Sequence, residues 1–298
     1  MNEAMFHLPG LFEAYEFYKV FLPVYYSNRD YFYEWASIGS IYGAPADCLW
    51  SGGRISHAEN NTWEVLDLLN EYSISGRLTF SNSLLTEEHL EDNRCNRICE
   101  EFNKSSKVKN GVIVHSDLLL SYLMEKYENL YFISSTTKVI TDFKLFRKEL
   151  NRVEFEYVVP DFRFNKQQDK LELLTDIEKN KIEFLVNECC AVTCSERKVC
   201  YENVSRKMIG ENCEDHICKT KGAEEGYLFS KAMENPEFIS VRDIENVYLK
   251  NGFSNFKIEG RSLGTALILE FLLYYMVKPE CQLKVREKIY LDSYLDLF

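Results

Sequence analysis

NGVIVHSDLLLSYLMEKYENLYFISSTTKVI, residues 110–140, holds two short β-branched runs with one amphipathic stretch between them. GVIVHS (111–116) and LYFISS (130–135) are continuously apolar before they turn polar, the pattern of strands covered on both faces. Residues 117–127 repeat leucine and tyrosine at helical spacing. Strand, helix, strand at this spacing is one parallel βα unit.

The unit recurs in both directions along the chain. VFLPVYY (20–26) reads as the first strand, with a helix at 28–38. RLTFSNS (77–83) reads as the second, after an additional helix at 62–73 and before one at 86–102. The two quoted strands are the third and fourth, the latter followed by a helix at 141–151. FEYVVPD (155–161) and a helix at 167–179 form the fifth unit, and IEFLVNE (182–188) is the sixth strand. EFISV (237–241) with helix 242–251 and NFKIEGR (255–261) with helix 264–277 complete the set; 281–298 reads as a terminal helix on the outer ring. Eight such units predict a closed (β/α)8 TIM-type barrel, one domain over 1–298. An open doubly wound sheet is the alternative, but no Gly-rich strand–turn–helix fingerprint supports it.

Composition narrows the function. With 298 residues and 46% apolar content the chain can bury a sizeable core. The longest apolar stretch, around 266–277, is interrupted by Glu270 and is too short to span a bilayer. MNEAMFHLPG has no basic segment leading into an apolar one, so the expected address is cytoplasmic. In a reducing compartment ten cysteines point away from disulfides and towards metal. A net charge of −12 without a Lys/Arg run disfavours long nucleic acid; a local basic mouth for a small anion stays open, as does a protein partner or a second copy.

In a barrel the chemistry collects where strands end. The ends read here are polar although the strands before them are apolar, and they include Asn82, His115, Lys138, Asp161, Arg163, Glu188, Glu259 and Arg261. His115 and Glu188 are candidate proton-moving groups, though a strand-end histidine also serves as a structural donor. Lys138 and Arg261 are candidate anchors for an anionic substrate; in KIEGR (257–261) an internal Glu259–Arg261 ion pair is the alternative, and Gly260 would let a ligand approach the backbone. SGGR (51–54) places Arg54 after two glycines, either an anion-binding nest or a plain turn.

NECCAVTCSERKVCYENVSRKMIGENCEDHIC (187–218) holds six of the ten cysteines and follows the predicted sixth strand. Two clips stand out, Cys190-x3-Cys194 and Cys213-x4-Cys218. Four thiolates from two clips suit a [4Fe–4S] cluster or tetrahedral zinc; zinc knuckles favour shorter clips, so the spacing leans to iron–sulfur. Some of these thiols, Cys189 and Cys200 first, can also be small apolar residues.

The order NEC-C-x3-C-x2-R-x2-C-Y at 187–201, the later clip, FKIEGR (256–261) and the 110–140 stretch together resemble the peptidase U32 family and its short single-domain relatives. That resemblance covers most of 18–280. It implies a TIM-type barrel whose cysteines hold a [4Fe–4S] cluster. It further implies oxygen-independent hydroxylation of ubiquinone precursors, or of transfer or ribosomal RNA with prephenate as oxygen source; other relatives carry the label of collagenase-like peptidases. Where short relatives more often have His-Tyr, this chain has Cys200-Tyr201. Some quinone-pathway relatives use an early-loop cysteine, which makes Cys48, Cys200, Cys213 and Cys218 the rival ligand set to Cys190, Cys194, Cys213 and Cys218. The expectation is an iron–sulfur enzyme acting on a small anionic or aromatic metabolite, with a U32-type peptidase or a non-enzymatic barrel with a structural metal as alternatives. No HExxH or G-x-S-x-G motif supports proteolysis.

Overall fold

The computed structural model describes residues 3–46, 48–53, 61–104, 107–220 and 222–290. The strands are β1 (Ala4–Pro9), β2 (Ala36–Gly43), β3 (Ser75–Phe80), β4 (Gly111–Val114), β5 (Tyr131–Ser134), β6 (Phe155–Val158), β7 (Glu183–Leu185) and β8 (Asn255–Lys257). Neighbours pair in parallel in the order β6-β5-β4-β3-β2-β1-β8-β7. A parallel bridge between Val158 and Ile182 brings β6 back to β7 and closes the ring. This is a (β/α)8 barrel.

The helices are α1 (Tyr15–Ser27), α2 (Thr62–Tyr72), α3 (Asn93–Lys104), α4 (Asp117–Lys126), α5 (Phe143–Leu150), α6 (Gln168–Leu171), α7 (Asp176–Lys181), α8 (Arg197–Met208), α9 (Phe229–Met233), α10 (Val241–Asp243), α11 (Thr265–Met276) and α12 (Gln282–Ile289). Helix starts follow local chemistry. Ser116 accepts from the Leu119 amide at α4, Asp142 from the Leu145 amide at α5, and Thr175 forms a capping box with Glu178 at α7. α10 runs directly into a π-helical turn, Ile244–Tyr248. None of the described helices is long and apolar enough to cross a membrane.

Strand alternation divides the core in two. Leu78, Phe80, Val112, Val114 and Phe132 face outward into the large shell beneath the helices. Tyr42, Ile113, Ile133, Val159 and Leu185 form a separate cluster, with Tyr131 and Tyr157 packed against it. The positions between the outward ones also carry Arg77, Thr79, Glu183 and Lys257, so the lumen holds charged and hydroxyl groups beside this apolar cluster.

Two of the predicted strands are corrected. VFLPVYY lies inside α1, where Phe17, Tyr18, Phe21, Leu22 and Tyr25 are buried at three- and four-residue spacing; Pro23 sits within the helix. EFISV forms no strand: the Ile239 amide donates to the Val186 carbonyl at 3.0 Å, and Ser240 caps α10. β1 and β2 take the two places. The cysteine segment therefore follows the seventh strand, not the sixth, and opens the long β7–α10 connection.

Candidate functional site

A buried ion cluster lies in the lower lumen. Glu183 bonds Arg77, with Lys257 Nζ at 3.3 Å and His7 Nε2 at 3.6 Å. Burial opposes the Glu183 charge, but Arg77 and Lys257 outweigh it and hold the carboxyl well below its usual range. Burial first, and Arg77 second, push His7 down to about 3, so the imidazole is neutral. Lys257 also sits 3.5 Å from the Tyr42 ring centroid, and burial lowers its amine to about 8 despite Glu183.

Above this cluster, at the strand ends, a cavity of about 70 Å3 opens. Its wall includes Tyr42, Thr79, Ser81, Thr137, Lys257 and Arg261. Gly52 closes one side, and a Cβ there would fall 2.5 Å from the Ser81 carbonyl, so only glycine lets the loop approach β3. Arg261 is buried, with Nε 3.2 Å from Glu13 and Nη2 donating to the Gly52 carbonyl at 2.9 Å. Burial raises Glu13 to about 7, against the pull of Arg261. Gly260 instead packs on Pro9 and Ile268.

The cysteine turn is built around Glu188. Its carboxylate accepts from the Cys189 and Cys190 amides at 3.0 and 2.9 Å and from Arg197 Nη1 at 2.7 Å. Asn235 pins the same turn by donating to the Glu188 and Cys190 carbonyls, both at 2.9 Å. Beside it lies a second cavity of about 390 Å3, lined by Cys189, Cys190, Cys200, Cys218 and Arg197 among others. Arg197 is buried between the Phe162 and Tyr201 rings, with its Nε 3.6 Å from the buried Asp161 carboxylate. Gly53 and Tyr201 line both cavities, so the thiol cavity adjoins the mouth.

The predicted site residues separate into groups. Arg261 lines the mouth. His115 does not line it but lies behind Thr137, which does, with Nδ1 2.9 Å from Thr137 Oγ1; burial pushes it down to about 4, with Lys138 and Lys198 adding to the effect. Lys138 lines neither cavity; its ammonium bonds Glu149 at 2.5 Å, where Asp117 and Arg152 share the network. Arg54 lies outside the described residues. Cys190 and Cys218 face the thiol cavity, and hydrogen bonds from Thr220 lower the Cys218 thiol. Cys194 and Cys213 do not line it: the Cys194 carbonyl accepts from Arg163 at 3.2 Å, and Cys213 packs on Asn203. Cys48 is buried against Cys95 in the shell. All ten cysteines are unbridged, and among the described residues no group of three Cys, His, Asp or Glu side chains is placed to hold a single metal ion. Arg197, Thr79, Ser81 and Lys257 went unread. Arg77 and Lys257 stand as lone charges inside apolar runs, which is the signal that could have found them.

Fold and site together define a (β/α)8 barrel with a mostly apolar strand-end cavity that carries a few polar and charged groups, and a thiol-lined annex. Among solved structures the chain is similar to the U32 peptidase Mk0906, with a TM-score of 0.52 over 87% of this chain and 93% of that one. The sequences are 12% identical, so the likeness is one of fold. No family model matches the chain, and no curated protein matches it significantly.

Proposed function

We propose that the chain is an iron–sulfur-dependent enzyme that modifies a small anionic or aromatic metabolite at the barrel mouth, with oxygen-independent hydroxylation as the reaction class. The observation that carries this reading is the thiol-lined cavity of about 390 Å3 sharing Gly53 and Tyr201 with the mouth. Thiol donors and room for an inorganic core fit a [4Fe–4S] cluster, beside the Arg197 guanidinium that Glu188 and Asp161 hold in place. Cys190, Cys200 and Cys218 would hold it, with Cys189 on the same turn. Zinc, the alternative, needs four ligands at short range around one ion. When bound, the cluster supplies Lewis acidity or an electron, tuned by its charge and hydrogen bonds.

The chain's own groups do the rest. Arg261 and the Thr79 and Ser81 hydroxyls bind and orient the substrate. Neutral His115 takes or returns a proton through Nε2 while Thr137 fixes its ring. Glu188 positions the cysteine turn and Arg197. Lys138 pairs with Glu149 away from both cavities, whereas Arg261, although paired with Glu13, lines the mouth and is the described anchor. Long RNA stays disfavoured on charge.

A second reading has one specific observation in its favour. The Thr137 hydroxyl lies 2.9 Å from the His115 imidazole, a hydrolytic arrangement once it turns from its bond to Ser135 Oγ, and the similar solved structure is named a peptidase. Thr137→Val abolishes hydrolysis on that reading and leaves iron content unchanged.

The test is iron and sulfide content after anaerobic purification. Cys190→Ala, Cys200→Ala and Cys218→Ala should each lose most of both; Cys194→Ala and Cys213→Ala should keep them. Loss from the last two, with Cys200→Ala unaffected, restores the two-clip set. A wild-type protein without iron sinks the proposal.

A further inference from the structure

Lys257 lines the mouth cavity and has no task in the proposed function. Lys257 is 6% exposed, on a strand that points it into the lumen beneath the cavity. The hydroxyls of Thr79 and Ser81, 8% and 2% exposed, face the same cavity and have no hydrogen-bond partner among the described residues. A buried hydroxyl without a partner costs free energy that a ligand oxygen would recover. Two of them on the wall of the cavity that Lys257 also lines suit a carbonyl group, whose oxygen hydroxyls can hold and whose carbon an amine can attack.

We propose that Lys257 is an amine nucleophile that forms a carbinolamine and then an imine with a short aldehyde or ketone entering the barrel mouth. The void of about 70 Å3 limits the ligand to a few heavy atoms. Thr79 and Ser81, on the wall of the same cavity, would donate to its oxygen.

The groups facing Lys257 are Glu183 from β7, Arg77 from β3, Tyr42 from β2 and Arg261 beyond β8, with His7 reaching it through Glu183. Burial and the two guanidiniums disfavour its ammonium form, and Glu183 alone favours it. With the amine at about 8, roughly a tenth is neutral at pH 7. That is on the order of a hundredfold more than for a surface lysine.

The step balances without a redox partner. The amine lone pair adds to the carbonyl carbon, and the C=O π pair moves to oxygen. One amine proton passes to that oxygen, giving the carbinolamine. The hydroxyl then leaves with the remaining amine proton as water, and the C=N bond forms.

The inference shares the mouth with the proposed function and is independent of the metal. It is tested on the anaerobically purified full chain, incubated with pyruvate or with acetaldehyde and then reduced with borohydride. Peptide mapping by mass spectrometry should find the adduct at Lys257 at least tenfold above any other lysine at pH 7. Labelling there should rise steeply from pH 6 to pH 8 and then level off, whereas surface lysines keep gaining. Lys257→Arg keeps the charge beside Glu183 and should lose the adduct while its circular dichroism stays native. Pyruvate-only labelling assigns an oxo-acid site and acetaldehyde-only labelling a neutral one; either supports the proposal. Label spread over surface lysines with Lys257 unmodified overturns it. Labelling of an iron-free preparation keeps this inference and removes the cluster reading; an unlabelled Lys257 in an iron-loaded one does the reverse.

Discussion

Replacing Glu183 by Gln leaves the side-chain volume nearly unchanged and removes the one carboxylate that faces Arg77, Lys257 and His7 together. All four side chains are buried. In water the loss would be small, because surface pairs are worth little. Here Arg77 cannot shed its proton, and its charge is left in the lumen without a counter-ion. Breaking a buried pair from one side costs about 3–5 kcal/mol. Unfolding entropy of about 2.1 cal/mol/K per residue gives about 0.6 kcal/mol/K for 298 residues. Glu183→Gln should therefore lower the Tm by about 5–8 °C. Lys257 loses the group that favours its ammonium form, so its labelling by carbonyl probes should move to lower pH. The double variant Glu183→Gln/Lys257→Met should recover part of the loss, because it removes one of the stranded cations. Circular dichroism melts of the three proteins decide the matter. A Tm loss under about 1 °C for Glu183→Gln would mean that the lumen is hydrated, and the reasoning from burial would fail.

His7 gives a pH dependence. The folded chain holds it neutral at about 3 against 6.5 when unfolded, so the unfolded chain takes the proton first. Its contribution is fully present above pH 6.5 and is lost as pH falls towards 3, at up to about 1.4 kcal/mol per pH unit. Urea midpoints of wild type and His7→Gln should converge as the pH is lowered through that window; parallel curves would contradict the assignment. Arg197→Met removes the cation beside the thiol cavity and the clamp on Glu188, and should lower bound iron at least severalfold while the barrel's circular dichroism persists. At physiological salt the purified protein should not retain bulk transfer or ribosomal RNA on a filter; tight, salt-sensitive retention would promote an RNA substrate.

The middle of the barrel was legible because GVIV and YFIS are apolar on both faces and bounded by polar residues. The ends were harder. AMFHLP and ASIGSIYG carry His, Pro, Ser and Gly, so β1 and β2 lack the β-branched signal, yet their pairing with each other and with β3 and β8 decides their conformation. VFLPVYY misled because an all-apolar run has no period of its own, and only Phe17 and Tyr18 upstream reveal the helical stripe. EFISV looked like a strand, but its Ser240 is a helix cap. Within the site, sequence spacing suggested that the two cysteine clips converge. In the fold Cys190, Cys200 and Cys218 line one cavity that Cys194 and Cys213 do not, and Glu188 and Arg197 fix the start of the helix that carries Cys200. Lys138 sits at a strand end as expected, yet Glu149 on the following helix draws its ammonium away.

The central claim is that the thiol cavity holds an iron–sulfur cluster beside the mouth, and the ultraviolet–visible spectrum of anaerobically purified protein tests it most directly. The account predicts a brown protein with broad visible absorption that bleaches on reduction or exposure to air, with iron and acid-labile sulfide in equal amounts. A colourless protein carrying stoichiometric zinc, or no metal at all, would contradict it.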